Sequence, residues 1–374
     1  MRKMILRLAA VLTALCLMQV RVSADGRPPF RYGSVLMEAE TGTVLGGTDS
    51  DVQLPCGTMT KLMTVYLTAK AILAGTLTED TPVTAPPAAE AQKGAVIWLT
   101  AGEQMPVADL LRGVIIGNAN DAAVTLACRL AGTEQAFVRE MNRAAESLSM
   151  RNTVFTDCTG NDAGNLSSAH DLGLLCCALL QYDFLTPYFT TWRDFLREGA
   201  TELVSENRLL KTYEGILGMK AGHGEQSGYT LALAAEKDGM RCAAVVLGCE
   251  DTDERFTYAK QLLHTGFTEY HVMTPDFSAE FLRPLPVRHG TETAVLPLSG
   301  DLRAVAAQNG AALSCEILLP QYAEAPVTAG QPLGTAAFFC GDSLVFEVPL
   351  TAADSVEKRD MRASLGILLD NLFK

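Results

Sequence analysis

The sequence predicts an α+β protein: an antiparallel sheet with helices packed on it, then a small all-β domain and a C-terminal amphipathic helix. Three observations predict this order. Strand-like alternation near residue 32 and again after residue 216 encloses a long helical middle, so both ends of this unit supply strands to one sheet. Proline-rich composition and short strand-like runs follow after about residue 274. An apolar stripe at helical spacing then closes the chain.

The first 24 residues have the features of a secretory signal peptide. Arg2, Lys3 and Arg7 form a basic start, the apolar run over 8–18 is too short to span a bilayer, and small residues occupy 22–24. We therefore expect cleavage after residue 24 and export, with an uncleaved membrane anchor as the alternative.

Composition argues against nucleic-acid, metal and cofactor binding. The formal net charge is −13 at pH 7, and loss of the basic signal peptide makes it more negative, whereas phosphate contacts need a basic surface. The chain has no Cys-x-x-Cys and no His-x-x-x-His, and its five histidines are scattered. We expect the cysteines in apolar stretches to be buried free thiols.

The first domain is predicted to span residues 25–274. The pattern over 32–47 predicts a β-hairpin around a Glu-Thr-Gly turn. From 58 to about 190 the pattern is mostly helical: the first helix ends at Gly75, and two later helices meet near Gly117.

Strands return after residue 216 in the same domain. Two strand-like runs joined by Asp238-Gly239 predict an antiparallel meander together with the run before them. The apolar spacing over 253–267 predicts a helix that follows the meander. An antiparallel sheet built from the N-terminal hairpin and this meander satisfies the order of elements.

The second domain is predicted to be a small β-sandwich over 275–353, with a Gly-Asp turn at 341–342. Residues 354–374 are predicted to form an amphipathic tail helix with Lys358, Arg359 and Arg362 near its start. This helix either contacts an anionic membrane surface or packs on its own protein. Its apolar stripe consists of Met361, Leu365, Leu368, Leu369 and Leu372.

The stretch "CGTMTKLMT" at 56–64 carries the first candidate for chemistry. Thr58 and Lys61 lie three residues apart at the start of a predicted helix, so they share a face, and the helix N-terminus favours loss of the hydroxyl proton. Lys61 could accept that proton if burial or a second cation such as Lys220 lowered its pKa. The ordinary alternative is a threonine N-cap followed by a surface lysine. Cys56 is a rival nucleophile.

Two further stretches carry polar groups in suitable contexts. Asn118 and Asn120 lie at a junction between helical runs, where an amide can hold a substrate amide or cap a helix. Lys220 and Gly222 lie on a strand-like run, where glycine allows close approach of a ligand and the backbone N–H of His223 could face its carbonyl. An ordinary strand ending in a turn is the alternative.

These stretches occur in the order of Ser-x-x-Lys, Ser-x-Asn and Lys-Thr-Gly, a signature of β-lactamases and penicillin-binding proteins. On that basis the chain resembles the D-alanyl-D-alanine carboxypeptidases, the low-molecular-weight penicillin-binding proteins, over about residues 30 to 360. The resemblance implies a penicillin-binding/β-lactamase-like transpeptidase fold, followed by the family's C-terminal β module and membrane anchor. The resembling segments are "SVLMEAETGTVL", "LPCGTMTKLMT", "GNANDAAVTLA", "TVFTDCTGNDAGNLSSAHDLGLL", "NRLLKTYEGILGMKAGHGEQSGYTLALAA" and "AAVVLG".

The resemblance implies roles for individual positions. Thr58 would be the nucleophile and Lys61 its base, and the backbone N–H groups of Thr58 and His223 would form the oxyanion hole. The remaining motif positions fall on Asn118, Ala119 and Asn120, and on Lys220, Ala221 and Gly222.

All three motifs depart from the family pattern. The β-methyl of Thr58 stiffens its χ1 angle and crowds attack. Asn118 replaces a serine that passes a proton to the leaving group, and losing such a transfer costs on the order of 10²–10⁴-fold in rate. Ala221 lacks the hydroxyl that the family uses on the substrate's terminal carboxylate. Both lysines remain, and burying them would be costly if they served no ligand, which favours a pocket for something anionic.

Three functions follow from this pattern. One is an exported serine-type hydrolase with an acyl intermediate on Thr58. It would act on peptidoglycan stem peptides that end in D-Ala-D-Ala, would also react with β-lactams, and would work at the outer face of the cytoplasmic membrane or in the cell wall. Another is a catalytically silent relative that binds muropeptide or acts as a scaffold. The third is a β-lactamase, disfavoured because no carboxylate in a motif context would activate a deacylating water. The stretch Ser205-Glu206-Asn207 matches Ser-x-Asn but lacks a partner lysine, and we exclude it as a motif.

Overall fold

The computed structural model describes residues 32–273, 282–299, 305–308, 310, 313–341 and 343–360. The predicted signal peptide lies outside these residues. The predicted boundaries at 24, 274 and 353 stay predictions.

Helices dominate the chain between the two strand-rich segments, as the periodicity predicts. A 3₁₀ turn over Gly57–Met59 leads into the first long helix, and Gly75, with φ of 71°, follows its end. The α-helices of the described residues are α1 (Thr60–Leu73), α2 (Pro87–Glu90), α3 (Val107–Ile115), α4 (Asn120–Ala131), α5 (Glu134–Ser147), α6 (Ala169–Leu179), α7 (Thr186–Thr190) and α8 (Thr252–Glu269).

The strands belong to one central sheet and several small ones. Within the described residues they are β1 (Gly33–Glu38), β2 (Val44–Thr48), β3 (Leu54–Pro55), β4 (Pro82–Thr84), β5 (Gln104–Pro106), β6 (Leu166–Ser167), β7 (Arg193–Leu196), β8 (Thr201–Val204), β9 (Ile216–Gly224), β10 (Gly228–Lys237), β11 (Met240–Cys249), β12 (Tyr270–Met273), β13 (Leu285–Arg288), β14 (Ala294–Val295), β15 (Pro297–Ser299), β16 (Val305–Gln308), β17 (Leu313–Leu318), β18 (Ala323–Glu324), β19 (Pro332–Cys340) and β20 (Ser343–Ala352).

The central sheet joins both ends of the first domain, which confirms the predicted topology. Its order is β2-β1-β11-β10-β9, with every pair antiparallel. Asp238 and Gly239, with φ of 52° and 80°, make the two-residue turn between β10 and β11. Both left-handed conformations match the twist of the flanking strands, which explains why the Asp-Gly pair closes this hairpin.

Alternation along β1 gives the sheet two apolar faces. Val35 and Met37 pack towards α6, where Gly173 leaves room for their side chains. Leu36 points the other way and packs beside Gly266 of α8. Because successive strand residues face opposite sides, one continuous apolar strand can be buried between two helical layers.

The second domain is all β among its described residues. Its largest sheet has the order β15-β20-β19-β17, and β13 pairs with β14 and β18. The turn after β19 includes Gly341, at the predicted position. These strands enclose small apolar clusters of their own around Val287 and Phe338.

The tail is not helical over its described part. Val356 forms a bridge with Val327 and Lys358 forms one with Gly290, so the helix predicted to start at residue 354 does not start there. Because this segment lies against the β domain, its backbone N–H and C=O groups form hydrogen bonds by strand-like pairing and not within a helix. Residues 361–374, which carry the apolar stripe, lie outside the described residues. Among the described residues, none of the helices alone has both the length and the apolar composition of a membrane span. The pair Ala169–Leu179 and Asp183–Thr190, which is sharply bent at its break, has them only when both parts are taken together.

Candidate active site

The Thr58 side chain lies against strand β9. It occupies the 3₁₀ turn that precedes α1, and a Cβ atom built on Gly222 would lie 1.8 Å from its Oγ1 and 2.9 Å from its Cβ. The Oγ1 atom is buried and has no hydrogen-bond partner in the described part of the chain. Gly222 is therefore required by the neighbouring hydroxyl, as well as by any ligand that approaches the strand.

Lys61 is buried one turn along the helix from Thr58. Only 1% of it is exposed, and its Nζ donates a hydrogen bond of 2.7 Å to the carbonyl oxygen of Thr159. Burial lowers the pKa of Lys61 to about 8, against the opposing effect of the Asp157 carboxylate. A large fraction of this amine is thus neutral near pH 8 and able to accept a proton.

A loop organised by Asp157 holds the carbonyl that Lys61 contacts. The Asp157 carboxylate accepts backbone N–H groups from Thr159 at 2.8 Å and Gly160 at 2.6 Å, and from the two residues that follow. Gly160, with φ of 84°, passes so close to Gly57 that a Cβ atom there would lie 1.9 Å from the Gly57 carbonyl oxygen. The loop thereby packs directly on the turn that carries Thr58. Sequence reasoning assigned Asp157 no role, although it lies in a segment that resembles the family.

Asn118 and Asn120 lie at the junction of α3 and α4, as predicted, but make different contacts. Asn118 is left-handed, with φ of 60°, a conformation that asparagine tolerates better than most residues. Its Nδ2 donates to Glu206 at 3.2 Å, and its buried Oδ1 has no partner among the described residues. Asn120 begins α4, and its Nδ2 donates to the carbonyl oxygen of Lys93 at 2.7 Å. The described bonds of Asn120 therefore hold a neighbouring loop.

Strand β9 carries the third motif, as predicted. Lys220 is 2% exposed and its Nζ donates to the carbonyl oxygen of Val114 at 2.9 Å. Its pKa lies well below the ordinary value because of burial and then because of the positive charge of Lys61, so the two amines are electrostatic neighbours. Ala221 alternates to the opposite face and joins the apolar cluster on the α8 side.

His223 lies at the end of β9 with its side chain largely exposed. Its ring stacks on Tyr229, with 5.5 Å between the ring centroids. Together with Thr58 it lines a cavity of about 220 Å³ that extends over Gly160, Asn161 and Ser227. The nucleophile candidate and the oxyanion-hole candidate thus border the same space.

Glu206 is a site residue that sequence reasoning missed. Besides accepting from Asn118, its carboxylate lies 3.6 Å from His223 Nδ1 and 3.6 Å from Arg255 Nη2. The stretch Ser205-Glu206-Asn207 does not act as a motif, yet it brings a carboxylate to Asn118, His223 and Arg255. The cause is tertiary: the residue precedes β9 by ten positions and carries no local signal.

Arg255 of α8 supports this cluster from behind. It is 3% exposed, and its Nη1 donates to the carbonyl oxygens of Gly222 at 2.5 Å and Thr230 at 3.1 Å. Burial lowers the pKa of Arg255, while the Glu206 carboxylate opposes that shift. A guanidinium is protonated even so, which leaves a fixed positive charge beneath the end of β9.

Cys56 is unsuited to act as a thiolate. It is fully buried, with Sγ 3.3 Å from Thr60 Oγ1 and 3.4 Å from the carbonyl oxygen of Asn165. Burial raises its pKa to about 12, so the thiol stays protonated near neutral pH. Over the described ranges, moreover, no group of three or more His, Cys, Asp and Glu side chains is arranged to hold a metal ion.

Comparison with known proteins assigns the chain to a family. Residues 31–251 match the family model described as D-alanyl-D-alanine carboxypeptidase, and residues 298–358 match the penicillin-binding protein 5 C-terminal domain. D-alanyl-D-alanine carboxypeptidase DacF of Bacillus subtilis is 31% identical over 332 residues, covering 87% of this chain and 85% of that protein. DacC of Escherichia coli is 31% identical over 338 residues, covering 87% and 84%.

Solved structures share this fold. Penicillin binding protein 5 from Haemophilus influenzae shares the fold with a TM-score of 0.79 at 24% identity, covering 89% of this chain and 99% of that one. Penicillin-binding protein D2 from Listeria monocytogenes, in its ampicillin-bound form, is 28% identical with a TM-score of 0.58, covering 63% and 97%. By the family model, the identity to its relatives and the shared fold, this chain belongs to the D-alanyl-D-alanine carboxypeptidase family.

Proposed function

We propose that this chain is an exported serine-type carboxypeptidase, with threonine as the nucleophile, that removes the terminal D-alanine from peptidoglycan stem peptides at a reduced rate. The observation that carries the proposal is the burial of Lys61, with its pKa lowered to about 8, one helical turn from the Thr58 hydroxyl. A neutral amine beside a hydroxyl at a helix N-terminus is a suitable general base for a nucleophile.

In the proposed acylation, Lys61 takes the proton of the Thr58 hydroxyl while Oγ1 attacks the carbonyl carbon of the penultimate D-alanine. The C–N bond to the terminal D-alanine breaks, and that residue leaves after its nitrogen gains a proton. Water then hydrolyses the ester and restores the hydroxyl. The first step requires the Thr58 hydroxyl and Lys61 Nζ to come within hydrogen-bond reach, since Thr58 Oγ1 has no hydrogen-bond partner among the described residues.

Other motif residues have supporting roles in the proposal. Backbone N–H groups of Thr58 and His223 would stabilise the oxyanion. Lys220 would hold Lys61 neutral and favour an anionic ligand, with Ala221 and Gly222 forming the strand edge that the peptide approaches. Asn120 would orient the substrate amide. Asn118 holds Glu206 and cannot relay a proton as a hydroxyl does, which is the main reason to expect slow turnover.

The same site would react with β-lactams, since a relative has been solved in an ampicillin-bound form. The expected setting is the outer face of the cytoplasmic membrane or the cell wall, reached by the signal peptide over 1–24. Peripheral contact with the membrane would use the predicted apolar stripe from Met361 to Leu372.

One observation favours a second candidate, a catalytically silent relative that binds muropeptide. Thr58 Oγ1 has no hydrogen-bond partner among the described residues, and Lys61 is bonded elsewhere, so the catalytic pair is not assembled in this structure. Such a protein would keep the cleft for recognition alone.

Intact-mass measurement after incubation with a labelled penicillin separates the two candidates. The proposed enzyme forms a covalent adduct that is lost in Thr58→Ala and kept in Cys56→Ala. Absence of any adduct, with muropeptide still bound, would replace the enzyme by the silent relative. An adduct lost only in Cys56→Ala would reject Thr58 as the nucleophile.

A further inference from the structure

The cavity beside Thr58 lies to one side of the two amines of the site. It is lined mainly by the loop over 160–163 and by the turn over 224–227, and neither Lys61 nor Lys220 is among the described residues that line it. In the proposed function the amines favour the carboxylate end of the peptide. The part of the stem peptide that precedes the scissile bond would therefore lie on the other side of Thr58, in this cavity.

Ser227, in the turn between β9 and β10, is the most deeply buried polar residue on the wall of this cavity. Only 4% of it is exposed, whereas the other polar residues that line the cavity are half-buried or exposed. Its hydroxyl donates to the carbonyl oxygen of Gly228 at 3.2 Å, which is long for an O–H···O bond. Within the described part of the chain, no N–H or O–H group donates to Ser227 Oγ in return. This oxygen is therefore a buried acceptor with unused lone pairs.

Two glycines that line the cavity leave the Ser227 oxygen uncovered by their own side chains. A Cβ atom built on Gly57, which has a φ of 50°, would lie 2.5 Å from Ser227 Oγ, and one built on Gly224 would lie 2.9 Å from the same atom. Gly57 directly precedes Thr58 in the 3₁₀ turn. The oxygen thus lies beside the turn that carries the nucleophile, where a bound peptide would pass.

A backbone N–H of the peptide is the donor that suits this oxygen. A stem peptide that runs from Thr58 into the cavity carries one N–H at each residue, and an N–H buried without an acceptor loses its hydration without return. The Ser227 hydroxyl directs its own proton to Gly228, so its lone pairs are what it offers to a ligand.

We propose that Ser227 is a further substrate-binding residue of this cleft, whose Oγ accepts a hydrogen bond from a backbone N–H of the stem peptide on the side that precedes the scissile bond. This inference rests on the proposed function, since it concerns the same substrate and the same nucleophile. The bond would be present before, during and after attack on the carbonyl carbon. It therefore contributes uniform binding, which changes KM more than kcat.

The test combines Ser227→Ala with peptides that lack one N–H. The reference peptide is N-acetyl-L-lysyl-D-alanyl-D-alanine, and in two analogues an ester oxygen replaces the N–H of the penultimate D-alanine or that of the lysine. We expect Ser227→Ala to raise KM for the reference peptide about tenfold with little change in kcat, and to have no such effect on the analogue that lacks the bonded N–H. Calorimetry on Thr58→Ala, with and without Ser227→Ala, measures the same differences as affinities without catalysis.

A matched control separates this hydroxyl from hydroxyl groups in general. Ser147, at the end of α5, also donates to a backbone carbonyl oxygen, that of Ala144 at 2.8 Å, and it does not line the cavity. Ser147→Ala should leave KM unchanged for all three peptides. The inference is overturned if Ser227→Ala leaves KM and affinity unchanged, or if it lowers kcat equally for all three peptides, since the serine would then only support the turn that carries Thr58.

The outcomes also separate this inference from the proposed function. Cleavage by wild type that does not depend on Ser227 would overturn the inference alone. Binding that depends on both Ser227 and the peptide N–H, without any cleavage, would support the inference and overturn the proposed enzyme. Absence of binding to all three peptides would overturn both.

Discussion

The contact between Thr58 and Gly222 makes Gly222→Ala an informative perturbation. An added Cβ would lie 1.8 Å from Thr58 Oγ1, 2.9 Å from its Cβ and 3.2 Å from its Cγ2, so three atoms of one side chain would have to move. Gly222 is held in place by its strand and by Arg255, which donates to its carbonyl oxygen. The threonine is therefore expected to shift, because its side chain is the more mobile partner.

The magnitude follows from forcing a methyl group into an occupied space. Overpacking of this kind typically costs about 1–3 kcal/mol of folding free energy. If the cost comes from Thr58, it should largely disappear when residue 58 has no side chain. Gly222→Ala is thus expected to be about 1–2 kcal/mol less destabilising in a Thr58→Gly background than in wild type.

Urea unfolding of the four proteins of this cycle measures the coupling, and adduct formation with a labelled penicillin measures the consequence for chemistry. We expect Gly222→Ala to abolish the adduct in the Thr58 background. Equal destabilisation in both backgrounds would show that the methyl group meets something other than Thr58. An adduct formed at the wild-type rate would show that the hydroxyl works from a position unrelated to β9.

Three further predictions follow. Burial lowers the pKa of Lys61 from 10.5 to about 8, so the neutral base is scarce below that pH. The acylation rate should therefore rise about tenfold per pH unit up to about pH 8 and then level off. A flat profile of rate against pH would contradict the role of Lys61 as the base. Burial raises the pKa of Cys56 to about 12, so iodoacetamide should label it only on unfolding. Rapid labelling of Cys56 itself in the native protein, told apart from the exposed Cys315 by peptide mapping, would refute its burial. Asp157→Ala deprives several loop N–H groups of their acceptor and should lower the free energy of unfolding by about 2–3 kcal/mol in urea titrations, whereas unchanged stability would mean that the loop holds without it.

Most of the first domain's architecture was predictable because its signals are local. Helical periodicity indicated the helix that became α1, and the Asp238-Gly239 pair indicated the turn between two strands. Each of these depends on residues within one turn or one hairpin. The structure of the tail was harder to predict. The stretch before residue 361 pairs with residues of the β domain, and the spacing of its apolar residues gives no sign of that pairing.

The site was predictable only in part, for the same reason. Order along the chain indicated Thr58, Lys61 and Lys220 as candidates. The hydrogen-bond partner of each lysine could not be read from the sequence, because Lys61 bonds to a carbonyl 98 residues away and Lys220 to one 106 residues away. Glu206 was dismissed with its local motif, although its carboxylate joins residues from three separate segments.

The sequence by itself determined which segments become helices and strands, and where a hydroxyl, two amines and two amides would be available. Only the tertiary structure decided that the hydroxyl at 58 lies against Gly222 and that the charges of Lys61 and Lys220 interact. It also decided that the Glu206 carboxylate lies beside Asn118, His223 and Arg255. The physical reason is that periodicity and turn chemistry act over a few residues, whereas electrostatics and close packing act between whatever atoms folding brings within a few ångströms.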